Sequence, residues 1–326
     1  MRVLVLHSDV APNAPPDELD TLIAADAVAA ALKKQGHEVS LSAFTSNLDR
    51  FEKLMDRASA DVVFNLVEGI DGLGQHAPIA PRMLDEYGAT FTGADAIAMA
   101  MTNDKPLTKR KLREAGVATP DWTEPQAWRG LKDATYIVKS ALEDASFGLD
   151  DDCVVTGKEE VKLRAADCYL KHGGRWFAEE FIDGREFNIA VLQGPGGPEV
   201  LPMAEMVFES WPADRPRIVG YTAKWNDSSF ESIQTVRHFG VESAERALAA
   251  KLKAACEECW KIFDLSGYAR VDFRVTSDGE PLVLEINTNP GIAPDAGFVA
   301  AAAAAGISYE ALIVRILEAA SYRQFR

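Results

Sequence analysis

The sequence predicts an α/β unit built on a parallel sheet and, beyond it, a small α+β unit inserted between larger ones. Three observations carry this. Strand and helix signals alternate through the first hundred residues, which is the pattern of a parallel sheet with right-handed crossovers. After Ala118-Thr119-Pro120 the order changes to strand, loop, strand, helix, strand. Near the end, two runs of period-two alternation flank Asp278-Gly279, a strong hairpin signal. A chain of 326 residues also exceeds one core of about 100 to 150 residues.

In order, "RVLVLHS" (2–8) reads as a buried strand, and "DELDTLIAADAVAAALKKQG" as a helix from the acid Asp17 to the stop at Gly36. "HEVSLSAF" and "DVVFNLVEG" read as strands, "IAPRMLDEYG" as a helix and "ATFTG" (89–93) as a short strand. "GIDGLG" (69–74) follows a strand, but its spacing is not that of a dinucleotide fingerprint. A helix "NDKPLTKRKLREAG" (103–116) precedes the boundary. Beyond it come strand "ATYIVKS", loop "DASFG", strand "DCVVTG", helix "KEEVKLRAADCYLKHG" and strand "RWFAEEFI". "QGPGGPEV" (193–200) is a hairpin tip, and "YEALIVRILEAA" after the alanine run 300–305 is a closing helical region.

Composition narrows the function. With 47% hydrophobic and 26% charged residues the chain is an ordinary globular protein. Its net charge of −16 repels phosphate backbones and anionic membranes, and no basic stripe offsets it, so neither nucleic acid nor membrane is expected as a partner. No apolar run is long enough for a span, and the N-terminus lacks a signal-peptide core, so a cytoplasmic location is expected. Cys256 and Cys259 form a CxxC, but they share a helical stripe with Leu248, Leu252 and Phe263, which makes them core residues rather than metal ligands.

The chemistry concentrates in "ARVDFRVTSDGEPLVLEINTNPG" (269–291). A symmetric loop centred on Asp278-Gly279 pairs Asp272 with Glu285 and Arg270 with Asn287. Val271, Phe273, Leu284 and Ile286 then share the opposite, apolar face. Two carboxylates directly across strands repel each other. An exposed face with Arg270 and Arg274 nearby screens them in one reading. In the sharper one they hold a divalent cation, with the Asn carbonyl as a third hard oxygen donor. That reading needs cations for a nucleotide's phosphates. Lys105 at a helix start, Lys139 at a strand end and Lys224 in "GYTAKWND" are the candidates, with backbone N–H groups of Ser146, Phe147 and Gly148 beside them.

The order "NDKPLTKRKLREAGVATP", "YIVKS", "FAEEFIDGREFNIAVL", "GYTAKW", "GYARVDFRV", "LVLEINTNPG" resembles the D-alanine:D-alanine ligase branch of the ATP-grasp enzymes, from about residue 60 to the end. The resemblance implies a three-domain ATP-grasp architecture: an N-terminal Rossmann-like domain (1–103), a central subdomain with a phosphate lid (104–185) and a C-terminal domain with the magnesium site (186–326). It assigns Lys105, Lys139 and Lys224 to the phosphates of ATP, Glu179, Glu180, Phe181 and Ile182 to the adenine hinge, and Glu186 to the ribose. Asp272, Glu285 and Asn287 hold two Mg2+ ions, with Mn2+ as a substitute, while Arg270 and the backbone at Gly291 face the reacting acyl group. It implies small carboxylate and amine substrates, and a homodimer formed through the N-terminal region.

The substrate positions depart from the family pattern. "SDVAPNAPPDELD" replaces a glycine-rich loop with a substrate-binding Glu, leaving Glu18 for that role or as a helix-start acid. Glu68-Gly69 replaces a His-Gly, and Ala145 replaces a lid Ser. Asp295-Ala296-Gly297 stands where those ligases place a polar or cationic residue, Ser and Leu against the second substrate's carboxylate. Asp295 is therefore expected to disfavour D-alanine and to suit an uncharged or amine-bearing acceptor, unless it merely caps a helix. The expected activity is an ADP-forming carboxylate–amine ligase acting through an acyl phosphate. The alternatives are an authentic D-alanine:D-alanine ligase and a nucleotide-binding regulator without catalysis.

Overall fold

The computed structural model describes residues 1–321. The N-terminal part contains β1 (Arg2–His7), α1 (Pro16–Lys34), β2 (Glu38–Ala43), α2 (Leu48–Ala58), β3 (Val62–Leu66), α3 (Ile79–Tyr87), α4 (Ala96–Asn103) and α5 (Lys105–Glu114). Its sheet is parallel in the order β2-β1-β3. β3 is buried at every position, as a strand between two covered faces is, and its one polar residue, Asn65, accepts from the Val67 N–H. The expected strand 89–93 makes only an isolated bridge from Phe91 to Val63. Helix α2, capped by the Asn47 side chain on the Arg50 N–H, escaped the sequence reading.

The central part holds β4 (Trp122–Thr123), β5 (Thr135–Ser140), β6 (Val154–Thr156), α6 (Gly157–His172) and β7 (Trp176–Glu180). They form an antiparallel sheet in the order β4-β7-β5-β6. Its own core includes Trp128, Tyr136, Val138, Val161 and Trp176.

The C-terminal part contributes β8 (Arg185–Gly194), β9 (Gly197–Val200), β10 (Ala204–Phe208), α7 (Tyr221–Trp225), α8 (Phe230–Gln234), β11 (Thr235–His238), α9 (Val241–Ala244), α10 (Arg246–Ile262), β12 (Tyr268–Val275), β13 (Pro281–Asn287), α11 (Gly297–Ala304) and α12 (Tyr309–Ala319). Its six-stranded sheet runs β11-β10-β8-β12-β13, with β9 paired to β8 through the expected hairpin at Gly194–Gly197. Leu248, Leu252, Cys256, Cys259 and Phe263 pack into one cluster under this sheet with Val271, Phe273 and Ile286. The cysteines are core residues, and burial pushes the Cys259 thiol up to about 12.

The opposite face of the same sheet shares a core with the N-terminal unit. Val3, Val5, Val28 and Leu32 lie in one cluster with Leu192, Tyr268, Phe298, Ile313 and Ile316. Among the described residues no single helix is long and apolar enough to cross a membrane, and the apolar pair α11 and α12 bends by 104° with its buried side chains in this shared cluster. α4 and α5 also lie against β13, and the Val283 N–H donates to the Ala118 carbonyl. Residues 94–119 thus brace the strand that carries Glu285.

Phe273 has no solvent exposure and sits one residue from the acidic pair on the strand between β8 and β13. Phe273→Ala is expected to cost about 3–5 kcal/mol, read as a lower denaturation midpoint of the C-terminal unit.

Candidate active site

The hairpin reading holds where the chemistry lies and fails near the turn. Thr276 and Glu280 close a three-residue loop, Ser277-Asp278-Gly279, with Gly279 at φ +81°, the left-handed position that such loops need. Val275 then pairs with Pro281 and Phe273 with Val283, one residue out of the expected register. A bulge between Asp272 and Phe273 absorbs the extra residue, so Asp272 faces Glu285, Val271 faces Ile286 and Arg270 faces Asn287. Leu284 is the residue displaced. It leaves the apolar face, where Val283 is buried in its place, and lines the cleft beside Glu285.

That cleft lies between the central and C-terminal sheets. Lys105, Lys139, Lys224, Ser146, Phe147, Glu179, Glu180, Phe181, Ile182, Glu186, Asp272 and Glu285 line it, drawn from seven separated segments. Arg270 forms a fork on Asp272, with Nε and Nη2 2.8 and 2.7 Å from its two oxygens. Burial opposes the Arg270 charge, but Asp272 and Glu285 more than offset it and raise its pKa. Glu285 accepts no hydrogen bond among the described residues. Burial would raise its pKa, yet Lys105, Lys139, Lys224 and Arg270 together hold it well below the carboxylate range. Asn287 accepts from the Asn289 N–H at 2.9 Å.

Lys105 is buried, with Nζ 2.8 Å from Asp144 and 3.7 Å from Glu285. Lys139 reaches Glu179 at 2.5 Å, and Lys109 meets the other carboxylate oxygen. Burial lowers Lys109 to about 8 against the pull of Glu179. Both oxygens of Glu179 are thereby engaged. Removing that carboxylate would strand two buried ammonium groups at about 3–5 kcal/mol. Lys224 makes no ion pair among the described residues, and desolvation with nearby Arg270 lowers its pKa. Glu186 is held by the Arg274 guanidinium at 2.7 Å.

The lid crosses this cleft in a strained form. Ala145 and Ser146 both have left-handed φ, 59° and 61°, at roughly 1–2 kcal/mol each. The Ser146 hydroxyl donates to the Val219 carbonyl at 2.7 Å, and the Trp225 indole N–H to the Ala145 carbonyl at 3.1 Å. Both bonds fasten the lid to the segment that carries Lys224. Gly148 has φ +64°, and a Cβ there would lie 2.7 Å from Trp176. The "GIDGLG" loop is a brace rather than a nucleotide fingerprint: the Gly74 N–H donates to Glu143 at 2.6 Å, at the lid's base.

A second group gathers at the N-terminal end of the cleft. Glu18 lies against Gly72, and burial together with Asp17 raises its pKa. The N–H groups of Glu68 and Gly69 donate to the Ser8 hydroxyl. Glu68 stays accessible to solvent but is hemmed in by protein, and desolvation with Asp20 and Asp144 pushes it up to about 8 against Arg270. Asp20 carries a carboxylate oxygen 3.6 Å from where a Cβ on Gly291 would stand. The loop after β13 is tied down by Asn289, which accepts from the Tyr268 hydroxyl and donates to the Val67 carbonyl. Ala296 is the N-cap of α11 and no side chain caps that helix, so Asp295 is not a capping residue.

The description "D-ala D-ala ligase C-terminus" matches residues 125–318. The chain belongs to the D-alanine–D-alanine ligase family. It is 33% identical over 311 residues to the uncharacterized protein y4sG of Sinorhizobium fredii, covering 92% of this chain and 88% of that one. It is 30% identical to the D-alanine–D-alanine ligase of Aquifex aeolicus, covering 89% and 92%. The crystal structure of the Bacillus anthracis ligase complexed with ATP superposes with a TM-score of 0.76 at 23% identity, over 100% of this chain and 99% of that one. The ligase of Coxiella burnetii gives 0.70 at 19% identity, over 100% and 96%. These two likenesses establish the ATP-grasp fold.

Within this ligase-family cleft several residues went unread. Asn188, across from Asp272 on β8, lines it, as does Arg274, which was read only as a screening charge. Both were signalled by period two, from Glu186 and from Asp272. Asp144 and Glu143 were visible only as part of a lid. Asp17, which accepts from the Tyr221 hydroxyl at 2.8 Å, and Asp20 share the helix face three residues apart. Arg237 had no local signal at all.

An acid with a raised folded-state pKa binds more protons folded than unfolded, so stability falls as pH rises from about 4.5 to about 8 and then levels off. Melting temperatures across that window should flatten in Glu68→Gln, with the largest gain over the parent above pH 8.

Proposed function

We propose that the chain is an ADP-forming carboxylate–amine ligase. ATP phosphorylates the carboxylate of an amino acid or small acid, the amine of a second substrate attacks the acyl phosphate, and phosphate leaves to give an amide or peptide. The observation that carries this reading is the convergence of Lys105, Lys139 and Lys224 with Asp272 and Glu285 on one cleft beneath a lid. A carboxylate at neutral pH is a poor electrophile, and transfer of a phosphoryl group to it depends chiefly on positioning and charge neutralisation. The lysines supply positive charge at the phosphates. In this reading Arg270 and the Gly291 N–H serve the acyl oxygen. The lid, pinned by Ser146 and Trp225, would keep water from the acyl phosphate.

Asp272, Glu285 and Asn287 fit a divalent cation. Glu285 has no hydrogen-bond donor among the described residues, and the Arg270 fork and the Asn289 N–H leave lone pairs free on the oxygens of Asp272 and Asn287. When bound, Mg2+ supplies neutralisation of the phosphate charge.

A second reading, D-alanine–D-alanine ligase itself, is supported by relatives of that name at 30% identity over most of the chain. Against it stand Ala145, Glu68 and Asp295-Ala296-Gly297 at substrate positions. The test is ADP formation with amino acids and carboxylic acids offered singly and in pairs. A ligase gives ADP only when both substrate roles are filled, by a productive pair or, in the second reading, by D-alanine in both. Phosphate release with D-alanine alone at roughly 1 to 1,000 per second would establish the second reading.

Glu285→Gln should cut turnover on the order of a hundredfold or more while the melting profile keeps a single folded state. A nucleotide-binding regulator would instead lose no ligase turnover, having none.

A further inference from the structure

We propose that Arg237 anchors the carboxylate of the amine substrate, which makes the acceptor an amino acid rather than a simple amine. This rests on the ligase reading and deepens it. Arg237 lies on β11, the edge strand of the C-terminal sheet, opposite Met206. Its guanidinium turns in toward α11: a Cβ on Gly297 would stand only 3.2 Å from Nη2. Gly297 thus keeps open the space that the guanidinium occupies. Although partly buried, Arg237 makes no hydrogen bond or ion pair with any described side chain.

The surroundings make that solitude costly. Desolvation and nearby Arg270 both lower its pKa, with Asp295 opposing them within electrostatic reach but beyond ion-pair distance. A partly desolvated guanidinium beside a second one needs an anion. Arg is also the residue whose planar fork matches a carboxylate.

The same end of the cleft supplies the complement. Asp20 stands beside Gly291, where the acyl group is placed, and it also senses Asp295. A zwitterionic amino acid would therefore find a carboxylate for its nitrogen at Gly291 and a guanidinium for its carboxylate over Gly297. This orients the nitrogen toward the acyl carbon. It also answers the substitution at Ala296, where the family pattern has a Ser against the acceptor's carboxylate: the donor lost from the loop is replaced by one on β11. Arg237, within electrostatic reach of Asp295, offsets the charge that would otherwise oppose an anionic acceptor.

The test uses glycine, D- and L-alanine, and D- and L-lysine, each beside its own primary amide, as acceptors in the ADP assay with Mg-ATP and the donor panel. Calorimetric titration of the same compounds into the Mg-ADP-loaded protein runs in parallel. The parent should prefer acids to amides. Arg237→Gln should shrink that preference about ten- to a hundredfold, through KM for the acids, and Arg237→Lys should restore part of it. Comparing each variant with the parent cancels the different basicity of the amide's amine. An equal change for acids and amides in Arg237→Gln, or no preference for acids in the parent, would overturn the proposal and leave Arg237 a solvated or structural cation. If no pair yields ADP while the parent still binds acids through Arg237, the ligase reading falls and the anchor stands. If the parent binds no acid in either assay, the anchor falls.

Discussion

The rest of the site depends on the repulsion between Asp272 and Glu285. Two charges about 5 Å apart at an effective dielectric of about 20 repel by roughly 3 kcal/mol, while a favourable cross-strand pair contributes only about 0.2–1 kcal/mol. Strand pairing alone cannot hold them there. The Arg270 fork neutralises one carboxylate, and Lys105, Lys139 and Lys224 surround the other from three different segments. The acids thus gather the cations, and the cations keep the acids ionised. An arrangement with that much balanced charge is poised for a ligand that brings both signs, as a metal-bound nucleotide does.

The lysines are themselves held at differing cost. Lys105 and Lys139 are committed to protein carboxylates, whereas Lys224 rides on the short helix to which the lid is bonded. Lid position and the third cation are therefore one mechanical element. Its left-handed Ala145 and Ser146 persist because the bonds to Val219 and Trp225 fix them.

Much of this was legible in order along the chain. Alternation gave the parallel sheet, and period two put Arg270, Asp272, Glu285 and Asn287 on one side of a hairpin. The agreement at Glu285 came from two compensating departures, a loop of odd length and a bulge, neither of which leaves a mark in a period-two pattern. Leu284 shows the cost, since a leucine in an apolar run gives no sign that it faces a ligand cleft. Asp20 was hidden among ordinary helix-surface acids, and its role depends on Gly291 approaching from 271 residues away. Arg237 was less visible still: its isolation is a property of what the fold leaves around it.

The shared core between the first sheet and the last two helices has one more consequence. Val28 and Leu32 of α1 are packed with Ile313 and Ile316 of α12, so the two ends of the chain form one thermodynamic body. The central sheet has a separate core and joins that body through the buried Lys109–Glu179 pair and the bonds of Ser146 and Ala145 to Val219 and Trp225. Its position over the cleft is therefore set by a handful of polar contacts rather than by a core shared with either end of the chain.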